Sequence, residues 1–320
     1  MIYILVFIVL AILSFIYYKL ADRFNIIDKP NHRSSHTQIT IRGGGIIFYI
    51  ALVIYFITSG FLYPYLFIGT TIIALVSFVD DLKPLPPSVR LPVQFIAAAM
   101  AIYQVSIDFP VLSLILLLIV GVGFINAYNF MDGINALTGV YSIIIVGFLY
   151  FFNSKEISFV DPDLLMYLLF SLVIFGYYNF RKKALFFSGD VGSISIAVIM
   201  LFLVYKFYVV LNAPVALLLV AVYGVDSVLT IVRRIKMKEK ISEAHRHHLY
   251  QMFVDSKKYS HIKTSLIYGG TQLLCCVIVY YTYSLEMWTQ ILITLTTLVF
   301  LALSYFLLVR YFLNLRSRTI

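Results

Sequence analysis

Two adjacent carboxylates, Asp80 and Asp81, end an apolar run in the stretch LVSFVDDLKPLPP. At the C-terminus of a helix, two negative charges oppose the helix dipole, so this placement costs stability unless a cation offsets it. A divalent metal is the natural offset, because Mg²⁺ takes hard oxygen ligands and shares them with substrate phosphates. The alternative is a solvated helix end, with Lys83 and Arg90 as counter-ions.

Two glycine-containing turns could bind an anion. Glycines flank Asp190 in FFSGDVGS (186–193), where the backbone could approach a ligand and a following helix N-terminus would favour negative charge. A plain turn with a capping aspartate is the alternative. Arg42 precedes three glycines, a pattern typical of a phosphate-cradling turn or of a flexible hinge.

A third polar segment is NAYNFMDGINALTG (126–139). Asn126, Asn129 and Asp132 are spaced three residues apart, so on a helix they would share one face. This stripe would suit hydrogen bonding to a polar ligand. Hydrogen bonding between packed helices explains the spacing equally simply.

A histidine and arginine cluster occupies EAHRHHLYQ (243–251). No matching cysteine or further histidine set makes it a zinc site. We interpret His245, Arg246, His247 and His248 as a phosphate-binding patch, with a solvated basic loop as the alternative. Asp226 lies in an apolar segment before this loop, where either a functional role or internal pairing is expected.

The composition shows which elements must position these residues. The chain has 320 residues, of which 62% are hydrophobic and 12% charged, and its mean hydropathy is +0.95. Since soluble domains carry about 25% charged residues, this indicates a membrane protein. We predict a single all-α polytopic domain over 1–320, with a short interfacial helix also compatible with the 233–263 connection.

Eleven segments are apolar enough to cross a bilayer: 2–19, 45–60, 63–79, 91–107, 110–128, 134–152, 164–180, 191–211, 213–232, 264–284 and 287–309.

The charge distribution predicts the sidedness of these segments. With eleven crossings, 22 of the 24 Lys and Arg residues fall on one side, which we therefore predict to be cytoplasmic, with the N-terminus outside and the C-terminus inside. All the polar segments lie on that side. The net charge of +9 is thus explained by topology, anionic lipids and phosphorylated substrates, without nucleic acid. A transporter or lipid flippase is the alternative function, but it would need ionisable residues at mid-depth.

Taken in order along the chain, these segments resemble the polyprenyl-phosphate N-acetylhexosamine-1-phosphate transferases. The resemblance covers the His-Arg-Ser and Arg-Gly-Gly-Gly loop, FVDDLKPLPPSVRLPVQ, NAYNFMDGINALTG, FFSGDVGS and AHRHHLYQ. It implies transfer of a sugar-1-phosphate from a UDP-N-acetylhexosamine to undecaprenyl phosphate, with release of UMP. It also implies dependence on Mg²⁺, for which Mn²⁺ could substitute. The form of the histidine loop is similar to that of the branch that initiates O-antigen and other lipid-linked saccharides.

The resemblance also implies roles for particular residues and a cellular setting. Asp80, Asp81 and Asp190 would be the catalytic carboxylates, with Asp190 a metal ligand and with Asp80, Asp81 and Asn129 as further candidate ligands. The substrates would be bound by Asn126, Asn129, Asp132, Arg33, Arg42, His245, Arg246, His247 and His248. The enzyme would lie among lipids of the bacterial inner membrane, with a cytoplasmic active site, and a homodimer is compatible with the family.

Two positions depart from the family pattern. Asn135 stands where many members have a second aspartate, and Ile41 stands where a proline commonly precedes the glycine loop. One carboxylate role is therefore absent here or is taken by another residue. The donor sugar is left open among GlcNAc and 6-deoxy analogues such as QuiNAc and FucNAc.

Overall fold

The computed structural model describes residues 1–28, 38–106, 108, 110–240, 245–256 and 258–317. About 78% of the chain is helical, which confirms the all-α prediction. The α-helices are α1 (Ile2–Arg23), α2 (Ile46–Thr58), α3 (Pro64–Leu82), α4 (Pro87–Tyr103), α5 (Val111–Phe130), α6 (Leu137–Lys155), α7 (Pro162–Asn179), α8 (Gly189–Leu211), α9 (Ala221–Lys236), α10 (Leu249–Asp255), α11 (His261–Thr282) and α12 (Met287–Ser317).

Each of the eleven segments predicted to cross the membrane coincides with a helical segment. In the described part of the chain, eight of these segments are long and apolar enough to span a bilayer, when a 3₁₀ helix (Pro214–Val220) and α9 are counted as one. That 3₁₀ start was not predicted. It follows Asn212, which has a left-handed backbone with φ of 47°, and Pro214, whose ring fixes φ and whose nitrogen cannot donate a hydrogen bond.

A two-stranded antiparallel ribbon also departs from the purely helical prediction. Strand β1 (Ile27–Asp28) pairs with β2 (Thr40–Ile41), and Ile41 forms a parallel bridge to Phe186. The amide N–H groups of Gly44 and Gly45 then donate to the carbonyl oxygens of Phe187 and Ser188, at 2.8 and 3.0 Å. This ribbon holds the glycine loop against the chain that enters α8.

Helix α8 forms the centre of the molecule. It contacts α2, α3, α4 and α5, and every residue from 193 to 203 is buried. Small residues allow this close packing: a Cβ atom added to Gly45, at the start of α2, would lie 2.5 Å from the Cα atom of Gly192. The N-terminus of α8 is therefore enclosed by the ends of several other helices.

The short helix α10 lies in the 233–263 connection, where a short interfacial helix was considered. Leu249 and Phe253 of α10 pack against Tyr305, Val309 and Phe312 of α12. Helix α12 has 31 residues, so it is about 46 Å long at 1.5 Å per residue, which exceeds the roughly 30 Å hydrocarbon thickness. Its C-terminal part thus serves as a support for α10 and the histidine segment.

Candidate active site

Asp81, near the end of α3, caps the N-terminus of α8. Its fully buried carboxylate accepts hydrogen bonds from the backbone N–H groups of Asp190 and Val191, at 2.8 and 3.0 Å. The Nε atom of Arg42 lies 2.7 Å from the same carboxylate. Unpaired N–H groups and the helix dipole make a helix N-terminus attractive for an anion. The charge that opposes the dipole of α3 is thus offset by the dipole of α8 and by Arg42.

Asp80 points to different neighbours. One carboxylate oxygen accepts from the backbone N–H of Leu85 at 2.5 Å, and the other lies 3.0 Å from Nη1 of Arg90. The carboxyl group of Asp80 is also hydrogen-bonded to that of Asp190. Two carboxylates in contact require a proton or a cation between them.

Asp190 lies where these groups converge. Its Oδ1 atom accepts from Nδ2 of Asn129 at 3.1 Å, and guanidinium nitrogens of Arg42 and Arg90 lie 3.6 and 3.7 Å from its two oxygens. Asp190 is 16% exposed, so a ligand can reach it. Three carboxylates therefore face two guanidinium groups. With all three carboxylates ionised, the cluster would carry one excess negative charge, which a shared proton or a cation would offset.

The asparagine and aspartate stripe is divided between two locations. The Nδ2 atom of Asn129 also donates to Oγ of Ser193 at 2.8 Å, and the hydroxyl of Ser188 donates to Asp132, so both residues contact the start of α8. Asn126 instead exchanges two hydrogen bonds with Gln94, at 2.7 and 3.2 Å. Asn126 therefore links α5 to α4.

Asp132 has a perturbed carboxyl group. Burial raises the pKa of Asp132 to about 6, while hydrogen bonds from Ser188 and Thr138 act in the opposite direction. It therefore titrates closer to neutral pH than an ordinary aspartate does.

The histidine segment lies against the end of α5. The hydroxyl of Tyr250 donates to the carbonyl oxygen of Phe130 at 3.1 Å, and the ring of His248 lies 6.3 Å from that of Phe130. The ring of His245 lies 4.9 Å from that of His248. Burial, with His248 and Arg234 nearby, lowers the pKa of His245 to about 4, so it is neutral at pH 7 and carries no charge to screen a phosphate.

Two other residues of this segment contact carboxylates away from Asp190. Nη2 of Arg246 lies 2.5 Å from Asp255, and Nε2 of His247 lies 3.0 Å from Glu239. Arg33 lies outside the described residues.

A cavity of about 400 Å³ includes Phe187 in its wall, and this residue directly precedes Ser188 of the α8 entrance. Asp80, Asp81 and Asp190 do not line this cavity. Its lining is both polar and apolar: Gln38, Ile39, Thr40, Asn135, Lys182, Lys183, Ala184, Phe187, Ser260, His261 and Ile262.

Asn135 shapes the rim of this cavity. Its side-chain nitrogen donates to the carbonyl oxygens of Arg181 and Lys182, at 2.8 and 3.3 Å. An ionised aspartate has no donor and would be repelled by both oxygens. The departure from the family pattern at this position therefore has a structural reason.

Sequence reasoning missed two features of the site. It treated Arg90 only as a counter-ion of Asp80, whereas Arg90 also lies beside Asp190. It also gave no role to Ser188 or Lys182. The signal for Ser188 was present, since it stands inside FFSGDVGS, but no periodicity relates Lys182 to the site.

The helices and the charged cluster define a multi-pass membrane protein with a polar site at the helix ends. Residues 63–208 match the family model described as glycosyl transferase family 4, and this stretch contains Asp80, Asp81, Asn129, Asp132 and Asp190.

Two curated proteins are similar over most of the chain. One is the probable undecaprenyl-phosphate N-acetylglucosaminyl 1-phosphate transferase of Bacillus subtilis, with 26% identity over 78% of this chain and 76% of the relative. The other is the undecaprenyl-phosphate alpha-N-acetylglucosaminyl 1-phosphate transferase of Thermotoga maritima, with 25% identity over 77% of this chain and 78% of the relative. These similarities support the resemblance to the polyprenyl-phosphate sugar-1-phosphate transferases that the motifs predicted.

Proposed function

We propose that the chain transfers a sugar-1-phosphate from a UDP-N-acetylhexosamine to undecaprenyl phosphate, which starts the synthesis of a cell-surface polysaccharide. An oxygen of the lipid phosphate would attack the β-phosphorus of the donor, and the bond to the α-phosphate oxygen would break with release of UMP. The observation that carries the proposal is the cluster of three carboxylates and two arginines around Asp190. The names of the two relatives support the lipid acceptor.

Two carboxylates of the cluster could hold a magnesium ion whose other ligands would be substrate phosphates and water, since the described residues contain no group of three or more His, Cys, Asp or Glu side chains placed to hold a metal ion. Asp190 and Asp80 would hold it, because their carboxyl groups touch and need a cation or proton between them. Asp81 is a poorer ligand, since both of its oxygens accept backbone hydrogen bonds. When bound, Mg²⁺ would offset charge on the diphosphate and on the departing UMP. Carboxylate ligands also suit Mn²⁺.

The protein groups would mainly position phosphates and balance their charge. Phosphoryl transfer depends largely on these two effects, and Arg42 and Arg90 lie where two phosphorylated substrates would meet the cation. A phosphomonoester has a second pKa of about 6, so the lipid phosphate is mostly ionised at pH 7. Asp80, which would hold the cation with the partly exposed Asp190, would therefore face the substrates more directly than Asp81 does.

The neighbouring cavity suits the donor nucleotide. Phe187 offers an aromatic surface for a base, while Lys182 and Lys183 can pair with phosphate oxygens. The donor would come from the cytosol, and the lipid tail would lie between helices. An active site at the cytoplasmic face of the bacterial inner membrane meets both needs, which agrees with the basic side predicted from charge.

The test is a transfer assay in membranes that contain the full chain. Labelled UDP-GlcNAc, undecaprenyl phosphate and Mg²⁺ are supplied to the wild type, to Asp190→Asn and to the control Asp108→Asn, whose residue is exposed in the α4–α5 connection. We expect a lipid-linked, UMP-releasing product from the wild type and the control. A loss of about 100-fold or more is expected for Asp190→Asn, as for removal of one preorganised electrostatic group.

A donor panel identifies the sugar. UDP-GlcNAc, UDP-QuiNAc and UDP-FucNAc are compared under the same conditions. Absence of a lipid-linked product from every donor would overturn the proposal.

A further inference from the structure

Asp226 is a buried carboxylate outside the cluster around Asp190. It lies in α9 with 2% exposure. Its carboxylate accepts hydrogen bonds from the hydroxyls of Thr230 at 3.1 Å and Tyr268 at 2.6 Å. It also accepts from the backbone N–H of Leu249 at 3.0 Å, and Nδ1 of His248 lies 3.2 Å away within hydrogen-bond distance. Two of these come from the residues that begin α10. Asp226 therefore fixes both the start of α10 and the ring of His248.

The ring of His248 has one paired and one unpaired nitrogen. Nδ1 is directed at Asp226, whereas Nε2 is buried and has no hydrogen-bond partner among the described residues. The whole side chain is only 3% exposed. A buried polar atom without a partner destabilises the folded state, so an unpaired nitrogen at this position calls for an explanation such as a ligand.

His248 lies against the end of α5, the helix that contributes Asn129 to the proposed active site. His248 packs against Phe130, the neighbour of Asn129, whose amide contacts Asp190. A second buried nitrogen without a partner among the described residues, Nδ1 of His245, belongs to the adjacent ring. Two buried histidine nitrogens near the end of α5 thus have no hydrogen-bond partner among the described residues.

We propose that Asp226 is a positioning residue, which holds His248 so that its Nε2–H donates a hydrogen bond to a substrate phosphate oxygen. This inference rests on the proposed function. Asp226 would accept the Nδ1–H and fix the orientation of the ring, as a carboxylate behind a histidine does in other active sites. The phosphate belongs either to the donor diphosphate or to the lipid monophosphate. Separate KM values for the two substrates distinguish these possibilities.

The test is a double-mutant cycle on the full chain, with Asp226→Asn, His248→Gln and the double variant. Asparagine keeps an acceptor for Leu249 and a partner for Tyr268, and it removes the charge that faces His248. We expect kcat/KM to fall about 100-fold in His248→Gln and about 10- to 100-fold in Asp226→Asn. If Asp226 acts through His248, the double variant falls no more than about threefold below His248→Gln.

A matched control separates positioning from local structure. Tyr268→Phe removes a different hydrogen bond from Asp226 and leaves its contact with His248, so we expect kcat/KM to stay within about threefold of the wild type. If Asp226→Asn does not accumulate in membranes, the cycle is repeated with Asp226→Glu, which keeps the charge but displaces the carboxylate. The same non-additivity is then expected.

The outcomes distinguish the positioning role of Asp226 from the proposed transferase function. A rise in KM confined to the UDP-sugar supports the inference and places Nε2 at the diphosphate, and a rise confined to undecaprenyl phosphate places it at the acceptor. Multiplicative losses in the double variant overturn the positioning role while leaving the transferase function intact. A wild type that makes no product from any donor overturns the proposed function and this inference with it.

Discussion

Replacement of the adjacent aspartates by asparagine should separate a structural role from a chemical one. Asp81→Asn and Asp80→Asn are isosteric changes one residue apart on α3. Asp81 accepts two backbone N–H groups of α8 and pairs with Arg42, whereas Asp80 contacts Asp190. We therefore expect Asp81→Asn to lower stability and Asp80→Asn mainly to lower turnover.

The expected loss for Asp81→Asn can be worked out from its contacts. An amide can accept only at its oxygen, so one of the two N–H groups is left facing an NH₂ group, which costs about 1 kcal/mol or more. Loss of a charge at a helix N-terminus adds about 0.3–1 kcal/mol. Arg42 is 30% exposed, so the loss of its nearest anion adds about 1 kcal/mol, below the cost for a fully buried pair. The sum is about 2–3 kcal/mol.

For Asp80→Asn we expect a smaller change in the free energy of unfolding. The amide oxygen still accepts from Leu85, and the amide removes the contact between two carboxyl groups at Asp190. The loss of the charge facing Arg90 is softened by solvent, because Arg90 is 36% exposed. We expect a stability change within about 1 kcal/mol of zero.

The assay is thermal unfolding of both purified variants in one detergent, alongside turnover. A change of 1 kcal/mol shifts Tm by about 2–4 °C in chains of 150–250 residues, so we expect the Tm of Asp81→Asn to fall by roughly 4–12 °C and that of Asp80→Asn by less than about 4 °C. Equal shifts in both variants, or a larger fall for Asp80→Asn, would refute the assignment of Asp81 as the cap of α8.

Three further predictions concern the surroundings of this cluster. Gly189 has a φ of +70°, and an added Cβ would lie 2.5 Å from Oδ2 of Asp81, so Gly189→Ala should lower Tm more than alanine at Gly224, where the added atom meets nothing within 4 Å. Asn135→Asp should raise KM for the UDP-sugar about tenfold, as carboxylate repulsion displaces the cavity rim, while KM for the lipid phosphate stays unchanged. Because burial raises the pKa of Asp132 to about 6, its protonated form is favoured in the folded state, and its contribution to stability is present below about pH 4 and lost as the pH rises through 6. Tm of the wild type relative to Asp132→Asn should therefore fall over that interval, and parallel pH curves for the two proteins would contradict the expectation.

The helices of this protein could be predicted from hydropathy alone. Since a bilayer crossing needs a long uninterrupted apolar run, each of the eleven predicted segments coincides with a helix. The ribbon of β1 and β2 could not be predicted, because each strand has only two residues and no alternation to detect. The 3₁₀ start before α9 was missed for a related reason, since it lies inside an apolar run of uniform character.

The sequence predicted which segments lie near the site, but it did not predict which side-chain atoms contact each other. The glycine loop, the aspartate pair and the start of α8 do converge, with Arg42, Asp81 and Asp190 in contact. The contact that Asn126 makes could not be predicted from the spacing. A three-residue spacing places groups on similar faces of a helix, but only the neighbouring helix decides that the partner of Asn126 is Gln94.

The amino-acid sequence by itself determined the membrane class and the helical segments, because these depend on the hydropathy of contiguous residues. The tertiary structure alone decided the division of roles between Asp80 and Asp81. Successive residues on a helix point about 100° apart, so the two carboxylates meet different neighbours. The N–H group that Asp81 accepts belongs to a residue 109 positions away, and no local pattern specifies such a contact.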